Sequence, residues 1–178
     1  MSGNRRGYLV IMLMMAVFAI TLGFLIALPV YRTEVKREKE EELIFRGKQY
    51  VEAVRIFLLK NPGRFPSSLQ ELLEKGCLRR LYRDPMTESG DWNIILNPAS
   101  AGLSGTGSSG EAQVYVIPEK ALSSVRQPVI LGVVSSSKAP SVKVYNDQES
   151  YDKWLFYYGQ DPKRLPKITY YGEKAKTS

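Results

Sequence analysis

The side chains that most often run chemistry are scarce in this chain of 178 residues. There is no histidine, which removes the commonest general base, the Ser-His and Cys-His nucleophile pairs and the usual zinc ligand. Cys77 is the only cysteine, so neither an intrachain disulfide nor a cysteine-built metal site is expected. Asp84, Glu88 and Asp91 lie close together ahead of a strand candidate. Several loop oxygens of this kind can hold a calcium ion, but the spacing fits no EF-hand, and turn formation with surface charge is the expected role. Asp147, Glu149, Asp152 and Asp161 are more loosely spread. Gly102, Gly105, Gly107 and Gly110 neither follow a strand nor open a helix, so no phosphate-binding loop is implied. Arg79, Arg80 and Arg83 form the one local basic cluster, and any contact with DNA would start there. The +7 net charge as a whole is dispersed: +2 in residues 1–30, +2 in residues 31–60 and +3 in residues 61–178. A solvated surface is the plain reading of such a distribution. No catalytic residue and no cofactor are expected, and calcium enters only through the acidic loop.

The element that sets the class is at the N-terminus. From Tyr8 to Val30 no residue carries a formal charge, and most are Leu, Ile, Val, Met, Phe or Ala. As a helix this stretch spans about 34 Å, against roughly 30 Å of bilayer hydrocarbon. A soluble helix needs one apolar face, whereas this one is apolar all round. A cleaved secretory signal is the competing reading, but its apolar region is about half as long, and Pro29 stands where small cleavage-site residues belong. Arg5 and Arg6 place the N-terminal arm on the cytoplasmic side, although Arg32, Lys36, Arg37 and Lys39 beyond the span count the other way.

After the span the pattern stays helical. Residues 31–42 alternate basic and acidic side chains, with Lys36–Glu40 and Arg37–Glu41 at the i, i+4 spacing of an exposed helix. Leu43, Gly47, Tyr50, Val54, Phe57 and Leu58 then step by three and four, with Arg46, Lys48, Glu52, Arg55 and Lys60 opposite. Asn61-Pro62-Gly63 ends the helix. Ser68-x-x-Glu71 predicts a capped short helix carrying Leu69, Leu72 and Leu73, closed by Gly76. Strand candidates follow at Trp92–Leu96, Gln113–Ile117, Val129–Val134, Val142–Tyr145 and Lys153–Tyr158, with short turns suited to hairpins and an antiparallel sheet. Trp92, Trp154, Phe156, Tyr157 and Tyr158 fall in strand candidates, and core packing is the expected job for at least one face of each strand. The predicted organisation is α+β: a basic leader at 1–7, a transmembrane helix at 8–30, its extramembrane continuation as a spine at 31–60, a head at 61–160 with a flexible loop at 97–112, and a tail at 161–178.

Details of the N-terminus go beyond an anchor. The basic leader ends in Gly7, Tyr8 opens the apolar helix, and Pro29 is the twenty-second residue counted from Tyr8. This resembles the type IV pilin and type II secretion pseudopilin family. Gly47-Lys48-Gln49-Tyr50, then Gly63-Arg64-Phe65-Pro66-Ser67-Ser68-Leu69, and Arg83-Asp84-Pro85-Met86 are similar to the G-type major pseudopilins, and the likeness covers roughly residues 5–96. It departs from the family at Met12, where a glutamate is usual, and at Leu9, where Thr or Ser is usual. The resemblance implies a pilin-like fold and a non-catalytic structural subunit in the inner membrane. The N-terminus would be cytoplasmic and the head periplasmic. A prepilin peptidase would cleave between Gly7 and Tyr8, and the new terminus would be methylated. Partners would be the lipid bilayer and other pilin-like subunits, meeting through the N-terminal helix. Gly23 would allow close helix approach and Pro29 would loosen the helix locally. Two alternatives stand beside it: a DNA-binding minor pilin of a competence system, and a membrane-anchored binding module.

Overall fold

The computed structural model describes residues 5–98, 113–161 and 164–172. For 5–6 and 25–30 it describes the helical backbone and not the side chains. Most of the loop expected at 97–112, the first four leader residues and the end of the tail lie outside that set. The chain divides into two compact units, Met1–Glu38 and Lys39–Ser178. Helix α1 is assigned over Arg5–Lys60 and contributes to both. In the first unit it carries one stretch, Gly7–Phe24, long and apolar enough to cross a membrane.

In the second unit the predicted stripe is buried: Leu43, Gly47, Tyr50, Val54 and Phe57, joined by Ala53, face inward while Leu58 is only half covered. Lys48, Glu52, Arg55 and Lys60 remain on the solvent side. The cover is a five-stranded sheet in the order β6-β3-β1-β2-β7. Its strands are β1 (Trp92–Leu96), β2 (Gln113–Pro118), β3 (Ile130–Ser135), β6 (Phe156–Tyr157) and β7 (Lys167–Tyr170). A separate hairpin pairs β4 (Pro140–Tyr145) with β5 (Gln148–Ser150). The chain is thus α+β with a mostly antiparallel sheet.

The sheet buries both faces. Ile94, Leu96, Ile117, Ile130 and Val133 pack with the α1 stripe, while Ile95, Val114, Val116 and Val134 form a second cluster with Leu155 and Tyr157. Strand alternation separates the two sets. At Leu96 and Ile95 the register to β3 shifts from Ile130 to Gly132. That bulge lets Ile130 and Val133, three positions apart, share a face.

Helix α2 (Leu69–Glu74) forms as its caps predict. The Ser68 hydroxyl accepts from the Glu71 N–H at 3.0 Å. The Glu71 carboxylate reaches back one residue further than in a standard capping box, accepting from the Ser67 N–H and hydroxyl at 2.8 and 2.7 Å. At the other end Gly76 has a φ of +61°. The N–H groups of Gly76 and Cys77 return to the carbonyls of Leu73 and Leu72, both at 2.9 Å, which is the Schellman arrangement.

Three strand expectations are corrected. Val142–Tyr145 does not extend the main sheet but turns back on Gln148–Ser150. Asn146 and Asp147 both adopt positive φ, 48° and 58°, the requirement of the tight type I′ turn. Lys153–Tyr158 supplies only the two-residue β6, because Tyr151–Lys153 winds into a 3₁₀ turn. Trp154 to Tyr157 are four consecutive buried residues, serving both clusters, so no alternation marks them as a strand. Lys167–Tyr170, within the segment read as tail, joins the sheet as β7 in parallel to β2.

Helix and sheet meet closely at Gly47. A Cβ there would lie 2.4 Å from ring carbons of Phe156, itself fully buried. Gly47→Ala is therefore expected to lower stability by about 1–3 kcal/mol through overpacking, despite a helix-propensity gain of about 1 kcal/mol. Thermal denaturation of the full chain in detergent checks this. An unchanged or raised midpoint would contradict the packing.

Candidate functional site

Two parts of the chain carry features that reach beyond packing. The first is the apolar stretch of α1. None of Gly7–Phe24 is buried, and Tyr8, Leu13, Met14, Met15 and Phe18 are each about two-thirds exposed. The polar atom of Thr21 is satisfied within the helix, its hydroxyl donating to the Val17 carbonyl at 2.8 Å. That hydroxyl therefore asks for no partner from outside the helix, as a bilayer demands. Gly7 and Gly23 both have open space where a Cβ would point, so another helix could approach either one. Pro29 lies inside the helix assignment, with its side chain outside the described set.

The second part is where the charged run enters the head. Glu40, read from sequence as one charge of an exposed i, i+4 pair, is fully buried. Its carboxylate accepts from the Val142 N–H at 2.6 Å, the Lys143 N–H at 3.0 Å and the Tyr151 hydroxyl at 2.6 Å. Burial and the adjacent Glu40 push the Tyr151 phenol well above its ordinary range, so it stays protonated and donates. Next to it, Glu41 pairs with Lys143 at 2.5 Å, which holds its carboxyl below the usual range. A bare buried carboxylate would be costly; here charge-assisted bonds from two backbone groups and a phenol offset that cost. The signal that could have found it is spacing. Glu40 precedes Leu43 by three and Gly47 by seven, so it lies on the same stripe.

Asp84 is a second buried carboxylate held in the same way. Its carboxylate is buried and accepts from the Ser135 hydroxyl at 2.7 Å, the Met86 N–H at 2.8 Å and the Ser136 N–H at 3.3 Å. Burial raises its pKa, and those three bonds together with the Arg46 charge oppose the rise. Tyr50 joins the helix to the same segment: its hydroxyl donates to the Tyr82 carbonyl at 2.9 Å and accepts from the Tyr82 N–H at 3.0 Å. Desolvation pushes that phenol up to about 12.

The three arginines singled out from sequence are all exposed, but two are engaged. Arg80 stacks over the Tyr82 ring at 5.1 Å, and Arg83 donates to the Ser89 carbonyl at 2.8 Å. Arg79 projects to solvent. Nor does the acidic trio converge. Asp84 is turned into the core, Asp91 pairs with Lys120 at 2.6 Å, and Glu88 is exposed. Among the described residues no group of three or more His, Cys, Asp or Glu side chains is gathered to hold a metal ion.

Replacing Glu40 tests the latch. Glu40→Ala leaves three donors without an acceptor, each worth about 1–3 kcal/mol, so the variant is expected to melt well below the native chain. Tyr151→Phe removes one bond and is expected to cost about 1 kcal/mol. In Glu40→Gln, amide exchange at Val142 and Lys143 should rise while exchange in β1 stays slow. Equal exchange at all these sites would remove the latch from the account. Comparison with protein families, with curated proteins and with solved structures found no match to this chain.

Proposed function

We propose that the chain is a non-catalytic, pilin-like structural subunit of a type II secretion or type IV pilus apparatus, with Gly7–Phe24 as the helix through which it is anchored and assembled. One observation carries the reading. A single helix assignment, Arg5–Lys60, begins as an apolar stretch with no buried residue and ends as a one-sided stripe buried beneath a small sheet. Such a helix has no use for its first part in water. In a bilayer, or against other helices of the same kind, that surface is covered without any new polar cost. Arg5 and Arg6 favour a cytoplasmic N-terminus, which puts the head in the periplasm. The Gly7-Tyr8 junction and Pro29 supply the pilin-like details, and Met12 in place of the usual glutamate favours an atypical rather than a regular filament position. Engagement of Arg80 and Arg83 within the head weighs against the DNA-binding alternative.

Processing distinguishes a pilin-like subunit from a simple anchored protein. Coexpressed with an active prepilin peptidase, the membrane-extracted chain is expected to begin at a methylated Tyr8 by intact-mass and N-terminal peptide spectrometry. Gly7→Ala should leave it uncut. A chain that keeps its leader beside a peptidase that cuts a control substrate would overturn the assignment.

A further inference from the structure

The second face of the sheet holds a cleft of about 470 Å³, within the range of small-molecule sites. Its floor is β2 at Val116 and Pro118, and Asn93, Lys138, Asp152 and Tyr170 line it from other segments, so residues bearing an amide, an ammonium, a carboxylate and a phenol surround one space. The Tyr170 hydroxyl is held toward Asp152, 3.3 Å from its carbonyl oxygen and 3.4 Å from its carboxylate. This fixes one wall of the cleft by bonds between β7 and the 3₁₀ turn after β5. Nothing in the assembly role uses this place.

From the balance of these groups we infer that the cleft binds a saccharide. One ammonium and one carboxylate cancel, so neither an anion nor a cation is favoured by net charge. The floor strand cannot take a peptide by strand addition, because β2 is already paired to β1 on one side and β7 on the other. At β2 recognition must come from side chains; β7 is the edge of the sheet, and the trialanine comparison tests strand addition there. An amide, a carboxylate, a phenol and an ammonium offer both donors and acceptors, and sugar hydroxyls, each donor and acceptor at once, match that mixture. The exposed Pro118 and the Tyr170 and Tyr171 side chains lining the cleft provide surface for the C–H faces of a sugar ring. The inference does not rest on the pilin-like reading.

The test is saturation-transfer NMR on the full chain in a detergent without a sugar headgroup. Cellobiose and N,N′-diacetylchitobiose at about 10 mM serve as probes, with trialanine as the peptide comparison. Transfer to at least one disaccharide is expected, with affinity lowered about tenfold or more in Asn93→Ala and Asp152→Ala. Lys138→Ala, at an exposed position outside the core, should weaken binding with the native near-ultraviolet circular dichroism intact. It decides the matter if either of the other variants loses that spectrum. No transfer to either disaccharide, transfer unaffected by the substitutions, or a stronger response from trialanine would each overturn the proposal.

Discussion

Apolar surface must be covered, and helix α1 meets that demand in two different ways. Between Leu43 and Phe57 the cover is supplied by the chain itself: each fully buried large side chain contributes about 1.5–3 kcal/mol, and the sheet brings Ile94, Leu96, Ile117 and Val133 to the same cluster. Between Gly7 and Phe24 the chain supplies no cover at all. The head covers its own part of the helix, and the rest is long and apolar enough to cross a membrane.

Within the head, two buried carboxylates decide how irregular segments attach to the regular core. Glu40 binds the start of the β4–β5 hairpin to the helix, and Asp84 binds the end of β3 to the turn before β1. Both accept from backbone N–H groups that would otherwise be left without partners near the core. The aromatic set Tyr145, Trp154 and Phe156, with ring centroids 5.3–5.5 Å apart, packs the hairpin further. Geometry of this kind is specific: a carboxylate that must meet three donors tolerates one position of the hairpin, whereas apolar contacts tolerate several. Gly47 adds a steric counterpart, admitting the Phe156 ring where any side chain would exclude it.

The helix, its apolar first part and the inward stripe were legible because period and composition are strong over long windows. The caps of α2 were legible because Ser68, Glu71 and Gly76 act locally. The strands β1 to β4 were found to within a residue or two at most ends, since β-branched runs between turns mark them. What escaped was non-local. The pairing of β4 with β5 depends on two positive-φ residues, Asn146 and Asp147, that read as ordinary loop. β7 is short and lies in a segment of Pro and Lys, so its strand character comes from β2 rather than from itself. Glu40 looked like one more charge in an acidic run, and only its register on the stripe distinguishes it. Asp84 was read as a turn former and is one, but its burial depends on Ser135, 51 positions later. The cleft around Asn93, Lys138, Asp152 and Tyr170 draws on four separate segments, which no local motif announces.

The proposed function requires that the apolar half of α1 be covered by sister helices in the working assembly. Photo-crosslinking in native membranes tests it most directly, with a benzophenone side chain placed at Met14 or Phe18 and, as a control, at Lys48. The account predicts protein adducts from the first two positions, to a second copy or to another chain with an apolar N-terminal helix. It predicts far fewer of these adducts from Lys48. Adducts to lipid alone from Met14 and Phe18, under conditions where the secretion or pilus apparatus is assembled, would contradict it.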